Sequence, residues 1–220
     1  FMKIKFILLF CLLCLSSCNA LSQSTPIPPT ATSLPSAIPT HFPTPSEPTP
    51  TPRDPQAEVL ARAAEVVQLL KNRDMVTLAT YVHRNRGLRF SPYATIQTSD
   101  LIFTASQVPG LMDDPTIYHW GISAGAGDAL DMTFAEYYAE FIYDVDFASA
   151  PEIAVDQRLG PGSTIDNSGE YYEDNSIVDY YFPGFDPSYQ GMDWRSLRLA
   201  FKYCQGDWML TGLIHDEWTP

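Results

Sequence analysis

The change in composition between the two parts of the chain constrains its fold more than any other sequence feature. Eleven prolines lie between Pro26 and Pro55, whereas all twelve tyrosines and all four tryptophans lie beyond Thr80. A Pro/Thr/Ser-rich segment cannot bury enough apolar surface to offset chain entropy, and its prolines favour extended polyproline II. We therefore expect a disordered stalk over residues 19–53, a semi-rigid spacer rather than a Pro-rich interaction motif, and a single globular domain over residues 54–220.

Residues 1–18 have the features of a secretory signal that ends in a lipidation site. Lys3 and Lys5 precede an apolar run, Phe6–Leu15, that is long enough for a signal h-region and too short to span a bilayer. The run closes on Leu-Ser-Ser-Cys, ending at Cys18, which resembles the lipobox of bacterial lipoproteins. This resemblance implies a diacylglyceryl thioether on Cys18 and cleavage before it, so that the mature protein is anchored to a bacterial cell membrane on its extracytoplasmic side. A signal cleaved elsewhere, with an incidental cysteine, is the alternative.

The expected domain, of about 165 residues, is long enough to bury one core. Cys204 is its only cysteine, so an intradomain disulfide is excluded. In an oxidising compartment a lone cysteine is either buried or exposed as a reactive thiol. The strand-like run Leu197–Cys204 favours burial of this thiol.

Charge is distributed unevenly along the domain. Residues 90–193 carry eighteen acidic side chains against one basic side chain, Arg158. This excess argues against nucleic acid and anionic lipid headgroups as partners, because both are bound by Lys/Arg patches. It is compatible with cations, basic peptides or polyamines, although solubility alone also accounts for it. Asp144-Val-Asp146 and the run Asp166–Glu170 raise calcium as a ligand, although neither continues as an EF-hand loop.

Capping residues and apolar periodicity predict helices early in the domain and an antiparallel hairpin at its end. Asp54-Pro55 is typical of the start of a helix that ends near Asn72, and the predicted buried face of this helix consists of Leu60, Ala64, Val67 and Leu70. This order is not a βαβ alternation, so we expect the α+β class. The further predicted elements are helices at 74–82 and 133–142, a short helix between Thr104 and Pro109, and strands at 88–96, 116–122, 176–182, 194–203 and 208–215, the last two joined by a turn at 205–207.

Three glycine-containing motifs lack the context that their chemistry requires. Gly121-Ile-Ser-Ala-Gly125 matches G-x-S-x-G, but the glycine-rich residues after it do not predict the helix that a nucleophile elbow needs. Gly125-x-Gly127 and Gly160-x-Gly162 lack the third glycine and the βαβ unit of a dinucleotide site. The histidines do not have zinc-site spacing either, so we expect no cofactor and assign no metal ligand.

Eight side chains are candidates for a pocket, and three of them are histidines. If the sheet curls into a cone, a histidine beside a carboxylate would act there as a general base. Adjacent residues of a strand point to opposite faces, so His215 and Asp216 should not face each other. A histidine satisfied by backbone groups is the simpler alternative. The eight candidates are His83, Arg89, Tyr93, His119, Trp120, His215, Asp216 and Trp218.

Several phrases of the domain resemble a family of uncharacterised secreted or lipid-anchored bacterial proteins. They are Gly87–Tyr93, Thr133–Tyr138, Phe182–Phe185, Met192–Leu199 and Trp208–Thr219. This resemblance covers nearly the whole domain and implies kinship without an assigned catalytic residue. More distantly, the helical opening, the Lys-Asn-Arg-Asp step before the second helix and the closing Gly-Asp-Trp hairpin resemble a nuclear-transport-factor-2-like domain. That resemblance implies N-terminal helices packed on a curved, mostly antiparallel sheet with a conical cavity.

These observations lead to one functional hypothesis and two alternatives. The first is a cell-envelope lipoprotein whose domain binds a ligand or an envelope protein without catalysis, because a tether and a spacer accompany no convincing catalytic constellation. One alternative is a small hydrolase or lyase-like enzyme that uses His119 or His215 with a cavity carboxylate. The other is an acidic module that binds calcium.

Overall fold

The computed structural model describes residues 53–162 and 164–219, which belong to one compact unit. The predicted signal peptide with Cys18 and residues 19–52 of the predicted stalk lie outside the described residues. None of the described helices is long and apolar enough to cross a bilayer. The described helices are α1 (Pro55–Lys71), α2 (Met75–Tyr81), α3 (Phe134–Phe141) and α4 (Ser168–Tyr171). The described strands are β1 (Leu88–Ser91), β2 (Ile102–Phe103), β3 (Tyr118–Ile122), β4 (Ala129–Met132), β5 (Glu152–Val155), β6 (Ser176–Phe182), β7 (Arg195–Cys204) and β8 (Asp207–Glu217).

The first three helices begin at side-chain caps that the sequence makes visible. Asp54 caps α1 and Asp74 caps α2, each by accepting hydrogen bonds from backbone N–H groups of the first turn. Helix α3 opens on a reciprocal capping box between Thr133 and Glu136. These caps satisfy the orphan donors of a helix start. The predictions of these three helices are therefore confirmed.

The buried face of α1 agrees with its prediction in part. Val67 and Leu70 are buried as predicted, whereas Leu60 and Ala64 are exposed and the neighbouring Val59 is buried instead. Apolar side chains occupy both positions 59 and 60, so packing against the sheet selects which of the two is buried.

Six strands form one sheet in the order β2-β1-β8-β7-β6-β5, and β3 pairs with β4 in a separate hairpin. Strands β1 and β8 are parallel, and the other strand pairs of the described residues are antiparallel. The α+β class with a mostly antiparallel sheet is therefore confirmed. Strands β7 and β8 are joined by Gln205 and Gly206, whose φ angles of 55° and 96° fit the two-residue type I′ turn that suits a hairpin.

One face of the six-stranded sheet carries the apolar core. Leu197, Leu199 and Phe201 of β7 are fully buried on this face, among side chains of α1, α2 and α3. Beside them Trp120 stacks on Tyr137, with ring centroids 3.8 Å apart. Aromatic side chains therefore fill much of the space between the sheet and the helices.

The opposite face of the sheet buries charged side chains. Ser196 and Arg198 alternate with the apolar residues of β7, and both are 1 % exposed. Asp179 on β6 and Asp216 on β8 are buried beside them. The described residues of the connection between β5 and β6, 156–162 and 164–175, cover these side chains and are called the strap below. Charged groups are almost never fully buried unless they are paired, so the strap has to supply partners.

Three local predictions need correction. Strand β1 ends at Ser91 instead of reaching residue 96, because Pro92 has no backbone N–H to continue the ladder. The short helix predicted before Pro109 is a 3₁₀ turn, Val108–Asp113, that runs through this proline. Cys204 is half-buried and not buried, since it ends β7 at the hairpin turn. Strands β2, β4 and β5 and helix α4 were not predicted.

Candidate ligand-binding cleft

A cleft of about 580 Å³ lies between the loop that follows β1 and the β3–β4 hairpin. The β1 loop contributes Tyr93 and Asp100, and the hairpin contributes His119, Trp120 and its connecting residues 121–127. Thr164 of the strap closes one side. The volume lies within the range of about 300–1,000 Å³ that is usual for small-molecule sites.

The connecting loop of the β3–β4 hairpin is closed by its own hydrogen bonds. The backbone N–H of Ser123 donates to the carbonyl of Asp128 at 2.7 Å, and the Ser123 hydroxyl accepts from the Asp128 N–H at 3.0 Å. Gly121 and Gly125 have φ angles of 122° and 82°, which L side chains rarely adopt. The next described element after Ser123 is strand β4 and not a helix, so the G-x-S-x-G sequence lies in a loop, as the sequence predicted.

The carboxylate of Asp100 lies at the cleft wall and is fixed there by hydrogen bonds. It is 7 % exposed, and its Oδ2 accepts hydrogen bonds from the Ser91 hydroxyl at 2.6 Å and from the Gln97 N–H at 3.1 Å. Burial raises the pKa of Asp100, and these hydrogen bonds and the charge of Arg89 only partly offset it. The carboxylate is therefore fixed in position, and a cationic group that approaches it would stabilise its charged form.

Aromatic side chains form the apolar part of the cleft. Tyr93 packs edge-on against Phe141, with centroids 5.7 Å apart, and burial raises its pKa. Trp120 is held from behind by Tyr137 and donates its indole N–H to the carbonyl of Met132 at 3.0 Å. Because both rings are fixed by packing, little conformational entropy is lost when a ligand binds against them.

His119 and Asp131 form a pair beside the cleft. They are opposite each other in the β3–β4 ladder, and His119 Nδ1 lies 2.6 Å from Asp131 Oδ1. Both side chains are more than half exposed. The pair therefore orients the imidazole, with Nε2 left on the side away from Asp131.

Other predicted pocket residues lie outside the cleft. His83 Nδ1 accepts backbone N–H hydrogen bonds from Asn85 and Arg86, and burial lowers its pKa. Arg89 donates to the carbonyl of Gln97, behind the cleft wall. Trp218 is 43 % exposed near the end of the described chain. The structure thus brings together Tyr93, His119 and Trp120 but not these three.

His215 and Asp216 point to opposite faces of the sheet, as strand alternation predicted. His215 is fully buried in the apolar core, and its Nε2 lies 3.5 Å from Asp144 Oδ2. Burial opposes ionisation of Asp144, but His215 and Arg195 outweigh it and lower the pKa of this carboxyl. Asp216 instead contacts Arg158 and Arg198 under the strap. A buried His–Asp pair therefore exists, but it does not line the cleft.

Three of the four carboxylates that raised calcium as a ligand are engaged by basic side chains. Asp144 contacts Arg195 at 2.8 Å, Asp146 contacts Lys71 at 2.8 Å, and Asp166 contacts Arg198 at 2.7 Å. Within residues 53–162 and 164–219, no group of three or more His, Cys, Asp or Glu side chains is arranged to hold a metal ion.

Sequence reasoning missed Asp100 and Asp131, and it named Asp144 as a calcium candidate rather than as a partner of His215. Asp100 follows a Thr-Ser pair in a polar loop, and nothing local distinguishes it from other exposed acids. The spacing of His119 and Asp131 is compatible with two strands joined by a glycine-rich loop. Recognition of β4 as the partner of β3 would therefore have predicted that pair.

Comparisons of the chain with protein-family models, curated proteins and solved structures gave no match. The functional argument therefore rests on the residues of the cleft.

Proposed function

We propose that the protein is an extracytoplasmic lipoprotein, anchored to a bacterial cell membrane through Cys18, whose domain binds a small organic cation in the cleft without catalysis. The observation that supports an organic cation as the ligand is the carboxylate of Asp100, fixed by hydrogen bonds, beside aromatic rings that are fixed by packing. The lipobox-like sequence and the proline-rich segment support the location.

The charge of the cleft favours a cation over an anion or a neutral ligand. No lysine or arginine is among the described residues that line the cleft. Asp100 does line it, and Asp131 lies nearby, beside His119. Arg89 lies behind the wall, where it binds backbone carbonyls. Aromatic rings attract cations by about 0.5–2 kcal/mol, and the half-buried Tyr93 supplies such a ring, whereas Trp120 is 2 % exposed and supports the wall of the cleft. A quaternary ammonium group or protonated amine uses both features at once.

Binding of choline to the purified full chain tests the ligand class, with 3,3-dimethylbutan-1-ol as its uncharged isostere. We expect choline to bind by isothermal titration and the isostere to bind at least about tenfold more weakly, a difference of about 1.4 kcal/mol. Asp100→Asn should abolish this preference, because the amide keeps an acceptor for Ser91 but carries no charge. Asp113→Asn, an exposed control outside the cleft, should retain it. Equal binding of both probes, or an Asp100→Asn variant that behaves like the wild type, would contradict a cation site.

Anchoring is tested separately with Cys18→Ser. We expect the wild-type chain to fractionate with membranes, with a diacylglyceryl group detected on Cys18 by mass spectrometry. The variant should lack the lipid and leave the membrane fraction. An unmodified Cys18 in the mature protein would refute anchoring without affecting the cleft proposal.

One observation favours a second candidate function, a small hydrolase. The 2.6 Å contact between His119 and Asp131 orients an imidazole beside the cleft, and a general base is built in this way. If this function is correct, hydrolysis of p-nitrophenyl acetate by the full chain should fall in His119→Gln and Asp131→Asn alike, and remain in His83→Gln. Turnover that is absent, or unchanged by these variants, excludes it.

For the fold we propose the nuclear-transport-factor-2-like arrangement as the finer assignment. Two helices precede the first strand, a third helix packs on the same sheet face, and the β7–β8 ladder has a register shift between Ala200 and Phe201. A register shift increases local strand twist, and this supports a curved sheet. Function does not follow from such a fold, because it is host to enzymes and binding modules alike. An experimental structure with a flat sheet would refute the assignment.

A further inference from the structure

Two exposed aliphatic side chains from different parts of the fold border the mouth of the cleft. Ile122, the last residue of β3, lines the cleft and is 64 % exposed. Ile165 follows Thr164, which closes the cleft on the side of the strap, and is 78 % exposed. Among the described residues no other large hydrophobic side chain is as exposed as Ile165. The cleft therefore has an apolar rim that faces solvent on two sides.

The backbone of both isoleucines is fixed by contacts within the domain. The carbonyl of Ile165 accepts a hydrogen bond from the hydroxyl of Thr95 at 2.6 Å, and Thr95 itself lines the cleft in the β1 loop. Ile122 is paired with Ala129 in the β3–β4 ladder. The two side chains are therefore positioned at the rim before a ligand arrives, and their apolar surface is accessible.

The position of the two isoleucines at one concave site gives their exposure a meaning. Single exposed aliphatic side chains are common on protein surfaces and indicate nothing by themselves. Here a ligand in the cleft can cover both side chains at once, and the burial of apolar surface favours binding. Asp100 is only 7 % exposed, so the negative charge lies at the inner wall and the apolar surface lies at the rim. This order fits a ligand with a charged head and an apolar chain.

The volume of the cleft leaves room for more than a small ammonium group. Sites of about 300–1,000 Å³ usually hold drug-sized molecules, and the cleft measures about 580 Å³. An alkyl chain attached to an ammonium group beside Asp100 would occupy the remaining space and reach the rim. The chain has to join the nitrogen directly, because a phosphate between them would lie near Asp100, and no lysine or arginine is among the described residues that line the cleft.

We propose that the ligand of the cleft is an amphiphilic cation. Its ammonium group lies at Asp100 and Tyr93, and its alkyl chain lies between Ile122 and Ile165. This inference rests on the proposed function and extends it, since it names the class of organic cation that the cleft selects.

A series of cations with one head group and increasing alkyl length tests this proposal. The purified full chain is titrated calorimetrically with tetramethylammonium, butyltrimethylammonium and hexyltrimethylammonium. A fully buried methylene group strengthens binding by up to about fourfold. Part of the chain stays exposed at the rim, so we expect hexyltrimethylammonium to bind at least about tenfold more tightly than tetramethylammonium. All titrations use one uncharged detergent, so that partition of the cations into its micelles is common to every variant.

Serine variants locate the alkyl chain. Ile122→Ser and Ile165→Ser each remove an exposed apolar side chain, and surface substitutions of this kind have little effect on folding stability. We expect the affinity ratio of hexyltrimethylammonium to tetramethylammonium to fall at least about threefold in each variant. Ile117→Ser is the control, because Ile117 is 60 % exposed, precedes β3 at the end opposite Ile122 and does not line the cleft. This variant should keep the wild-type ratio.

The outcomes distinguish this inference from the proposed function. If tetramethylammonium binds and a longer chain adds no affinity, the inference is overturned and the cation site stands. A ratio that is unchanged in the double variant Ile122→Ser/Ile165→Ser, or that Ile117→Ser lowers equally, would also overturn it. Hexylphosphocholine, which carries a phosphate between the ammonium group and the chain, should bind more weakly than hexyltrimethylammonium, and tighter binding would contradict a purely cationic amphiphile. If none of the cations binds, the proposed function itself fails.

Discussion

The two faces of the six-stranded sheet bury opposite chemistries to the same depth. Leu197 and Leu199 are 0 % exposed on one face, and Ser196 and Arg198 are 1 % exposed on the other. These residues alternate along one strand, so backbone conformation does not distinguish them. The difference lies in the cover. Helices supply apolar side chains to one face, whereas the strap supplies an arginine and an aspartate to the other, so depth of burial does not by itself identify the hydrophobic core.

The largest expected effect comes from the polar face. Arg198→Ala removes the buried guanidinium group from Asp166 and Asp216 and leaves them only the more exposed Arg158, and removing one partner of a buried ion pair typically costs about 3–5 kcal/mol. Urea unfolding of the full chain measures this loss. Lys202→Ala, on the same strand but in a partly exposed pair with Asp174, should cost no more than about 1 kcal/mol. Equal losses of unfolding free energy in the two variants would mean that burial under the strap does not make the ion pairs of Arg198 contribute more to stability than the pair of Lys202.

A similar but smaller loss is expected on the apolar face. Leu199→Ala removes buried methyl groups and leaves a cavity, which typically costs about 2–5 kcal/mol. Val76→Ala, at a side chain that is 68 % exposed, should stay within about 0.5 kcal/mol in the same unfolding measurement. If Leu199→Ala were as mild as Val76→Ala, the apolar face would not be the core of the domain.

Loss of one hydrogen bond on the polar face should have an intermediate effect. The Ser196 hydroxyl donates to Asp179 Oδ1 at 2.6 Å, so Ser196→Ala leaves a buried oxygen unsatisfied at a cost of about 1–3 kcal/mol. Ser188→Ala is the control, because that residue is exposed and its backbone N–H still donates to Asp186 in the variant. Equal melting temperatures for the two variants would show that the hydrogen bond from Ser196 to Asp179 does not stabilise the fold.

The smallest effect is a pH dependence carried by the polar face. Burial raises the pKa of Asp179, and Ser196 and the Leu159 N–H only partly offset it. Between the ordinary and the raised pKa the folded chain holds a proton that the unfolded chain has released, so the free energy of unfolding falls as pH rises through this window. Asp179→Asn should flatten this part of the profile, and Asp113→Asn should leave it unchanged. Denaturant unfolding at a series of pH values measures both, and identical profiles for wild type and Asp179→Asn would contradict the assignment.

Local signals predicted much of the secondary structure. Asp74 and Thr133 cap α2 and α3 by bonding backbone N–H groups only three residues further along the chain. Such a cap can therefore be recognised from the local sequence. Strand β6 was predicted with its observed bounds, Ser176–Phe182. The short strands β2 and β5 gave no signal, because two to four residues are too few for a period to emerge and their pairing partners define them.

The candidate sites were much harder to predict than the elements. Tyr93, His119 and Trp120 were found because they are unusual residue types, and the fold brings them to one cleft. Asp100 owes its role to Ser91 and to burial, which no local pattern records.

Sequence alone determined the starts of α1, α2 and α3, the α+β class, the hairpin turn and the opposite orientation of His215 and Asp216, because the signals for these features lie within a few positions of one another. Tertiary structure decided whether Val59 or Leu60 of α1 is buried and which carboxylates meet a cation. Those outcomes depend on contacts such as Arg158 with Asp216, whose partners are distant in the chain and adjacent only after the strap packs on the sheet.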